Sequence, residues 1–227
     1  MKFVKIIAVM LALLGGIAQA PGRGAPDAAF DLRDWKLQIP GPKEIKELTG
    51  YSSDHFYLSG AKEMCFHLDA TEKGPTPHAR SVRSELRHVA NWTLDGEHAL
   101  SGEFRVASHL KPDKVTTLQI HGIQADHSDA PPLLRIARNS GDLVAAIKTD
   151  AEGRKTEIVP LKRAVGDGFV LVDIVVKDRI LTIDVDGEQK LRRDLSYWKF
   201  LDYFKAGCYP QATDGTVDVF FRKLTVK

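Results

Sequence analysis

A dozen or more short segments, many of them alternating apolar and polar residues, run along this chain separated by turn residues. Alternation with period two is the signature of a strand with one buried face. Such strands at roughly ten-residue spacing imply an all-β sandwich or barrel. They read as strands over 30–40, 56–58, 63–68, 82–89, 99–107, 115–123, 133–137, 143–148, 156–161, 169–176, 179–185, 189–191, 203–209 and 216–226. Asp186-Gly187 is a hairpin signal. Only 42–48 and 194–202 look helical. No repeat of solenoid or propeller length is present, and no low-complexity linker divides the chain.

The first residues belong to a different class. Lys2 and Lys5 precede an apolar run from Ile6 to Leu14, and Ala18-Gln19-Ala20 is a small-x-small site. This predicts a secretory signal peptide over residues 1–20, hence a periplasmic or extracellular protein. Pro21 just behind the site shifts the expected cut by a few residues. The run is too short to span a bilayer, and no second long apolar run exists, so no membrane contact is expected once the leader is gone. The remaining 207 residues, 21–227, suit a single domain and a monomer. Losing Lys2 and Lys5 leaves 30 basic against 30 acidic residues. That balance gives no reason to expect nucleic-acid binding. Any attraction for an acidic ligand must come from local clustering. Cys65 and Cys208 are the only cysteines; an exported chain allows them to pair, and two buried thiols are the equal alternative. Neither suggests a metal site.

Three strands carry chemistry on their polar faces. In Arg83-Ser84-Glu85-Leu86-Arg87, alternation sends Arg83, Glu85 and Arg87 to one face. Arg grips a planar carboxylate with two parallel hydrogen bonds, although an ion-pair ladder explains this stretch equally well. In Leu118-Gln119-Ile120-His121-Gly122, Gln119 and His121 share a face and Leu118 and Ile120 face the core. Gly122 allows something to approach the backbone closely. In the segment from Tyr203 to Gln211, Tyr203, Lys205, Gly207, Tyr209 and Gln211 lie opposite Phe204, Ala206 and Cys208.

Together these faces describe a groove floor of cations, amides and phenols, suited to an acidic, hydroxyl-rich polymer. They also suit β-elimination from a uronic acid. The proton on C5 is removable only when the adjacent carboxylate is neutralised and the enolate-like intermediate is stabilised, which positioned Arg and amide donors do. A base is needed at C5 and an acid at the O4 leaving group. His and Tyr fill those roles where nearby cations favour the phenolate.

The three stretches, in the same order, resemble the signature strands R-S/T-E-L-R, Q-I/V-H and Y-F-K-A-G-x-Y-N-Q of the alginate lyases of polysaccharide lyase family 7. The opening Trp35-Lys36-Leu37-Gln38-Ile39-Pro40 resembles that family's start, so the likeness covers nearly the whole mature chain. The resemblance implies a jelly-roll β-sandwich of two antiparallel sheets with a cleft on the concave sheet. It implies cleavage of alginate by β-elimination without cofactor or metal. Carried over by position, Arg83 and Gln119 neutralise the carboxylate beside His121, and Tyr209 protonates the leaving oxygen. His121 is the base for guluronate; for mannuronate Tyr209 serves as both base and acid. Glu85, Arg87, Tyr203, Lys205 and Gln211 position the substrate or the catalytic groups. Ile120 leans toward guluronate-containing blocks, by correlation within the family.

Two positions depart from the pattern: Pro210 stands where Asn is usual, and His88 where Glu is common. Proline removes a backbone donor, so the strand is expected to end or bulge there. Trp92 and Trp198 read as core. His55, His67, His78, His98, His109 and His127 are assigned no role, and the segment 126–129 before Pro131-Pro132 reads as a loop over the cleft. Competing readings are a lyase on another polyuronate such as glucuronan, and a non-catalytic carbohydrate-binding sandwich. The pairing of His121 with Tyr209 speaks against mere binding. A glycoside hydrolase needs a carboxylate pair that no strand supplies.

Overall fold

A computed structural model describes residues 23–41, 44–60, 62–72 and 82–227. The leader expected over 1–20 lies outside them. Among these residues fifteen strands form two antiparallel sheets stacked as a jelly-roll sandwich. Across the eight-stranded sheet the order is β10 (Thr156–Lys162), β9 (Asp142–Lys148), β8 (Asp129–Asn139), β7 (Lys114–Ile123), β14 (Leu201–Pro210), β5 (Ser84–His88), β1 (Trp35–Gln38) and β2 (Glu44–Ile45). The seven-stranded sheet runs β13 (Glu188–Asp194), β12 (Ile180–Val185), β11 (Val170–Lys177), β6 (Glu97–Ser108), β15 (Thr216–Val226), β4 (Glu63–Asp69) and β3 (Phe56–Ser59).

The core is what the alternation dictates. Leu37, Leu86, Leu118, Ile120, Phe204, Ala206 and Cys208 project from the eight-stranded sheet, and Phe66, Phe104, Val219 and Phe221 from the other, all essentially inaccessible. Phe221 meets Phe66 edge-on at 5.6 Å and Phe104 at 5.4 Å between ring centroids, separations at which aromatic pairs attract beyond simple burial. Trp92 and Trp198 are core residues. Cys65 and Cys208 are both free and buried.

Several expectations are corrected. Neither helix forms among the described residues. Of 42–48, the described Glu44–Ile45 is an edge strand, with Leu37 opposite Ile45. The stretch 194–202 completes β13 at Asp194, turns through Ser196 and Tyr197, and enters β14 at Leu201. Trp198 anchors that turn by donating its indole N–H to Asp202 at 3.1 Å. Of 126–129, Asp126–Ser128 lie in the turn between β7 and β8, while Asp129 already opens β8, which continues through Pro131 and Pro132. The described residues before Phe30, which the Gly- and Pro-rich sequence suggests are a loose lead-in, are held to the sandwich: Gly24 accepts a 2.7 Å hydrogen bond from the Leu58 N–H, and Pro26 is buried in a 3-10 turn.

Two glycines let strands close on one another. At Gly122 a Cβ would stand 2.6 Å from the Pro131 carbonyl oxygen, so the close approach its sequence position suggests is that of β8. Gly207 has φ +146°, and a Cβ there would stand 2.6 Å from the Ser84 carbonyl oxygen and 2.7 Å from the Glu85 Cα. Any side chain must therefore push β14 away from β5. Gly207→Ala is expected to cost about 1–3 kcal/mol, the usual range for overpacking. Urea unfolding checks this, and a midpoint equal to that of the parent would show that the two strands are not so closely apposed.

Candidate active site

The polar residues gather on the outer, concave face of the eight-stranded sheet. Register aligns them in rows. Lys36, Arg87, Lys205, Gln119, Arg135, Ala146 and Ile158 are successive cross-strand partners from β1 to β10. Gln38, Glu85 and Gly207 form the next row. His121 faces Tyr203 one step further along β7.

Glu85 is the hub. Its side chain is fully inaccessible, as is nearly all of Lys205, whose ammonium sits 2.5 Å from the carboxylate. Gln119 donates an amide N–H to the same carboxylate. The Arg83 guanidinium lies 3.8 Å away, and Lys205 also donates to the Gln38 amide oxygen at 3.0 Å. Burial pushes the Glu85 carboxyl up, but Lys205 and Arg83 pull harder and hold it below its ordinary range. Burial draws Lys205 down against the pull of Glu85. Both therefore sit beneath the cleft and brace its donors, rather than lying open to a ligand.

Above this hub stand two aromatic–cation pairs. Arg83, immediately before β5, places its guanidinium carbon 4.5 Å from the centroid of the Tyr209 ring. Arg87 lies 4.0 Å over the Tyr203 ring and donates to Asn91 at 3.1 Å. Tyr203 in turn stacks on His121, with centroids 5.1 Å apart and planes 22° from parallel. Burial pushes the Tyr203 phenol up to about 12 against the pull of Arg87, so it remains neutral and serves as a wall.

His121 Nδ1 lies 2.9 Å from the Gly122 carbonyl oxygen. A carbonyl only accepts, so Nδ1 carries the proton and Nε2 the lone pair. Burial, then the fields of Lys205 and Arg83, depress this imidazole to about 4, with the Gly122 carbonyl and Glu85 opposing. Near neutrality it is an uncharged base. Bulges flank both key residues: register shifts occur on either side of His121 in the β7–β8 pairing, and between Ala206 and Tyr209 in the β14–β7 pairing. Bulges re-aim side chains in this way near functional sites.

A family model described as alginate lyase matches residues 30–227. The chain belongs to the alginate lyases of polysaccharide lyase family 7. An alginate lyase of Photobacterium sp. is 25% identical over 242 residues, spanning 83% of this chain and 81% of its own. A substituted form of alginate lyase A1-II′, solved with substrate (GGMG), is similar at a TM-score of 0.83 and 26% identity, covering 89% of this chain and 96% of that one. Alginate lyase AlyC3, solved in complex with dimannuronate, matches at a TM-score of 0.74 and 25% identity, covering 90% of this chain and 94% of its own.

This alginate lyase brings together every site residue singled out in its sequence. Gln211 works inward: its amide donates to the Tyr209 carbonyl and accepts from the Thr116 hydroxyl at 3.1 Å, fixing the strand end that carries Tyr209. Pro210 is the last residue of β14, as its missing N–H suggests. His88 shares the parity of Leu86, away from the cleft, with its ring centroid 5.0 Å from that of Trp35 in an edge-to-face contact. Arg135 was not foreseen. A lone arginine in Leu-Leu-Arg-Ile-Ala signals only an outward position, and its place beside Gln119 emerges from pairing. The lyase should depend on its buried ion pair. Lys205→Met leaves Glu85 uncompensated and is expected to cost about 3–5 kcal/mol, with Glu85→Gln added to it recovering part of the loss. Additive losses in a double-mutant cycle of denaturant midpoints would refute the coupling.

Proposed function

We propose that this lyase cleaves alginate by β-elimination, with Arg83, Gln119, His121 and Tyr209 performing the chemistry. Arg83 and the second N–H of the Gln119 amide meet the uronate carboxylate and carry the charge that develops when C5 loses its proton. The C5–H bond breaks toward His121 Nε2 when the sugar is guluronate. A C4–C5 double bond forms, the C4–O4 bond breaks, and O4 leaves with the proton of the Tyr209 phenol. For mannuronate, whose C5 proton lies on the other face, Tyr209 starts as the phenolate, takes that proton and returns it to O4. Product and shortened chain account for every atom, with an unsaturated uronate at the new non-reducing end.

The observation that carries the reading is the state of His121. It is neutral, has Nε2 unprotonated, is wedged against Tyr203, and shares its patch with the Arg83–Tyr209 pair. The relatives solved with substrate (GGMG) and with dimannuronate support an acidic oligosaccharide in the cleft. Ile120 inclines the reading to guluronate-containing blocks. Export to the periplasm or beyond the cell, and action as a monomer, belong to the same reading, supported by the leader pattern and by a single continuous core.

Incubation with alginate should raise ultraviolet absorbance as the new double bond forms. No rise on guluronate, mannuronate or mixed blocks would remove the proposal. Tyr209→Phe should lower kcat by about 10²–10⁴-fold, the range for general acid–base groups, while oligosaccharide binding persists. A fully active variant would withdraw the role of Tyr209. The pH dependence has a definite sign. The active form of His121 is unprotonated, so on guluronate blocks kcat/KM should hold down to about pH 4 and fall only as pH drops through that value. An acid limb centred at the ordinary histidine value of about 6.5 would mean that the base is not shielded as described.

A further inference from the structure

Beyond the reaction centre, the β8–β10 side of the cleft holds two cations that no acid neutralises. Arg135 lies in the row of Gln119, with its guanidinium carbon 6.0 Å from the centroid of the Tyr209 ring. Its Nε is buried and has no hydrogen-bond partner. On β9, Lys148 stands two residues from Ala146, the cross-strand partner of Arg135, and therefore on the same face. Its ammonium donates to the Thr156 hydroxyl at 2.9 Å. Burial, then the field of Arg135, lowers its pKa, so the two cations are close enough to repel.

Of the other cations of this face, Lys36 pairs with Glu44 at 3.3 Å and Arg83 and Lys205 share Glu85. Arg87 has no carboxylate partner either, but its guanidinium is taken up by the Asn91 side chain and the Tyr203 ring. Among the described residues neither Arg135 nor Lys148 has a carboxylate within ion-pair distance. The residues outside the description contain no Asp or Glu. Asp150, whose field reaches Lys148, is engaged by the backbone N–H groups of Glu152, Arg154 and Lys155. Two like charges held together at a half-buried site are unfavourable unless an anion joins them.

The strand between and beyond them is small and apolar. Ala146 lies next to Arg135, and its partner Ile158 on β10 is 54% exposed, one of the most exposed large apolar side chains among the described residues. A cation pair beside an exposed aliphatic surface matches a pyranose ring that has a carboxylate on one edge and C–H groups on its face.

We propose that Arg135 and Lys148 form a carboxylate-binding subsite for a second uronate of the chain, adjoining the scissile position on the β8–β10 side, with Ile158 beneath the ring. This subsite rests on the reading of the cleft as the polyuronate site. It makes Arg135 and Lys148 binding residues that set how many sugars must be engaged, and leaves the proton transfers to the four residues above.

Binding separates this from the chemistry. In the Tyr209→Phe background, titration calorimetry with a guluronate tetramer is compared with and without Arg135→Gln, Arg135→Lys and Lys148→Gln. Arg135→Gln is expected to weaken binding by about tenfold or more, the loss of a charge-assisted hydrogen bond. Lys148→Gln should weaken it several-fold, and Arg135→Lys should recover most of the loss. The carboxyl-reduced tetramer should bind parent and variants alike. Equal affinity for the uronate tetramer across parent and variants overturns the subsite, as does an equal loss on the carboxyl-reduced tetramer, which would point to packing. Circular dichroism and the urea midpoint establish that each variant is folded, and Lys148→Gln, at a more peripheral position, carries the test if Arg135→Gln is not. Failure of the elimination reading would appear elsewhere, as absence of the ultraviolet signal from the unsubstituted enzyme.

Discussion

One carboxylate in a place where water cannot reach it organises the reactive face of this lyase. Glu85 is stable there because Lys205, Gln119 and Arg83 converge on it. A buried charge without such partners would be strongly unfavourable. The arrangement has consequences in both directions. Glu85 holds the amide of Gln119 in one orientation and leaves a second N–H to point elsewhere. Lys205 and Arg83 bring enough positive field to join burial in keeping His121 uncharged. The same ion pair thus keeps two adjacent strands in place and sets the protonation state of the proposed base.

Sheet geometry supplies the rest. Cross-strand pairing brings together side chains from β1, β5, β7, β8 and β14, which lie far apart in the chain, and the apolar halves of the same strands lock that register into the core. Gly207 allows β14 to approach β5, and register shifts flank His121 in the β7–β8 pairing and precede Tyr209 in the β14–β7 pairing.

Much of this was legible in the amino-acid order, for a physical reason. Period-two alternation assigns each residue a face, so Arg83, Glu85, Arg87, Gln119, His121, Tyr203, Lys205 and Tyr209 could be placed together once the strands were recognised. Alternation says nothing of depth, and so the inaccessibility of Glu85 and Lys205 depends on what covers them from neighbouring strands. Nor does it report partners: Arg135 acquires meaning only through its register with Gln119. The segment 42–48 resembles a helix because it begins with proline and ends before glycine, yet an open edge of β1 was available and Ile45 pairs with Leu37. In 194–202 the large side chains serve a turn, where Trp198 donates its indole N–H to Asp202 in the core.

The depressed, Nδ1-protonated state of His121 is the point on which structure and proposed chemistry meet. Nitrogen-15 NMR of histidine-labelled enzyme, titrated from neutral pH downward, reads it directly. The account predicts the Nδ1–H tautomer at neutral pH and a midpoint near pH 4. A midpoint at the ordinary value of about 6.5, or the opposite tautomer, would contradict it.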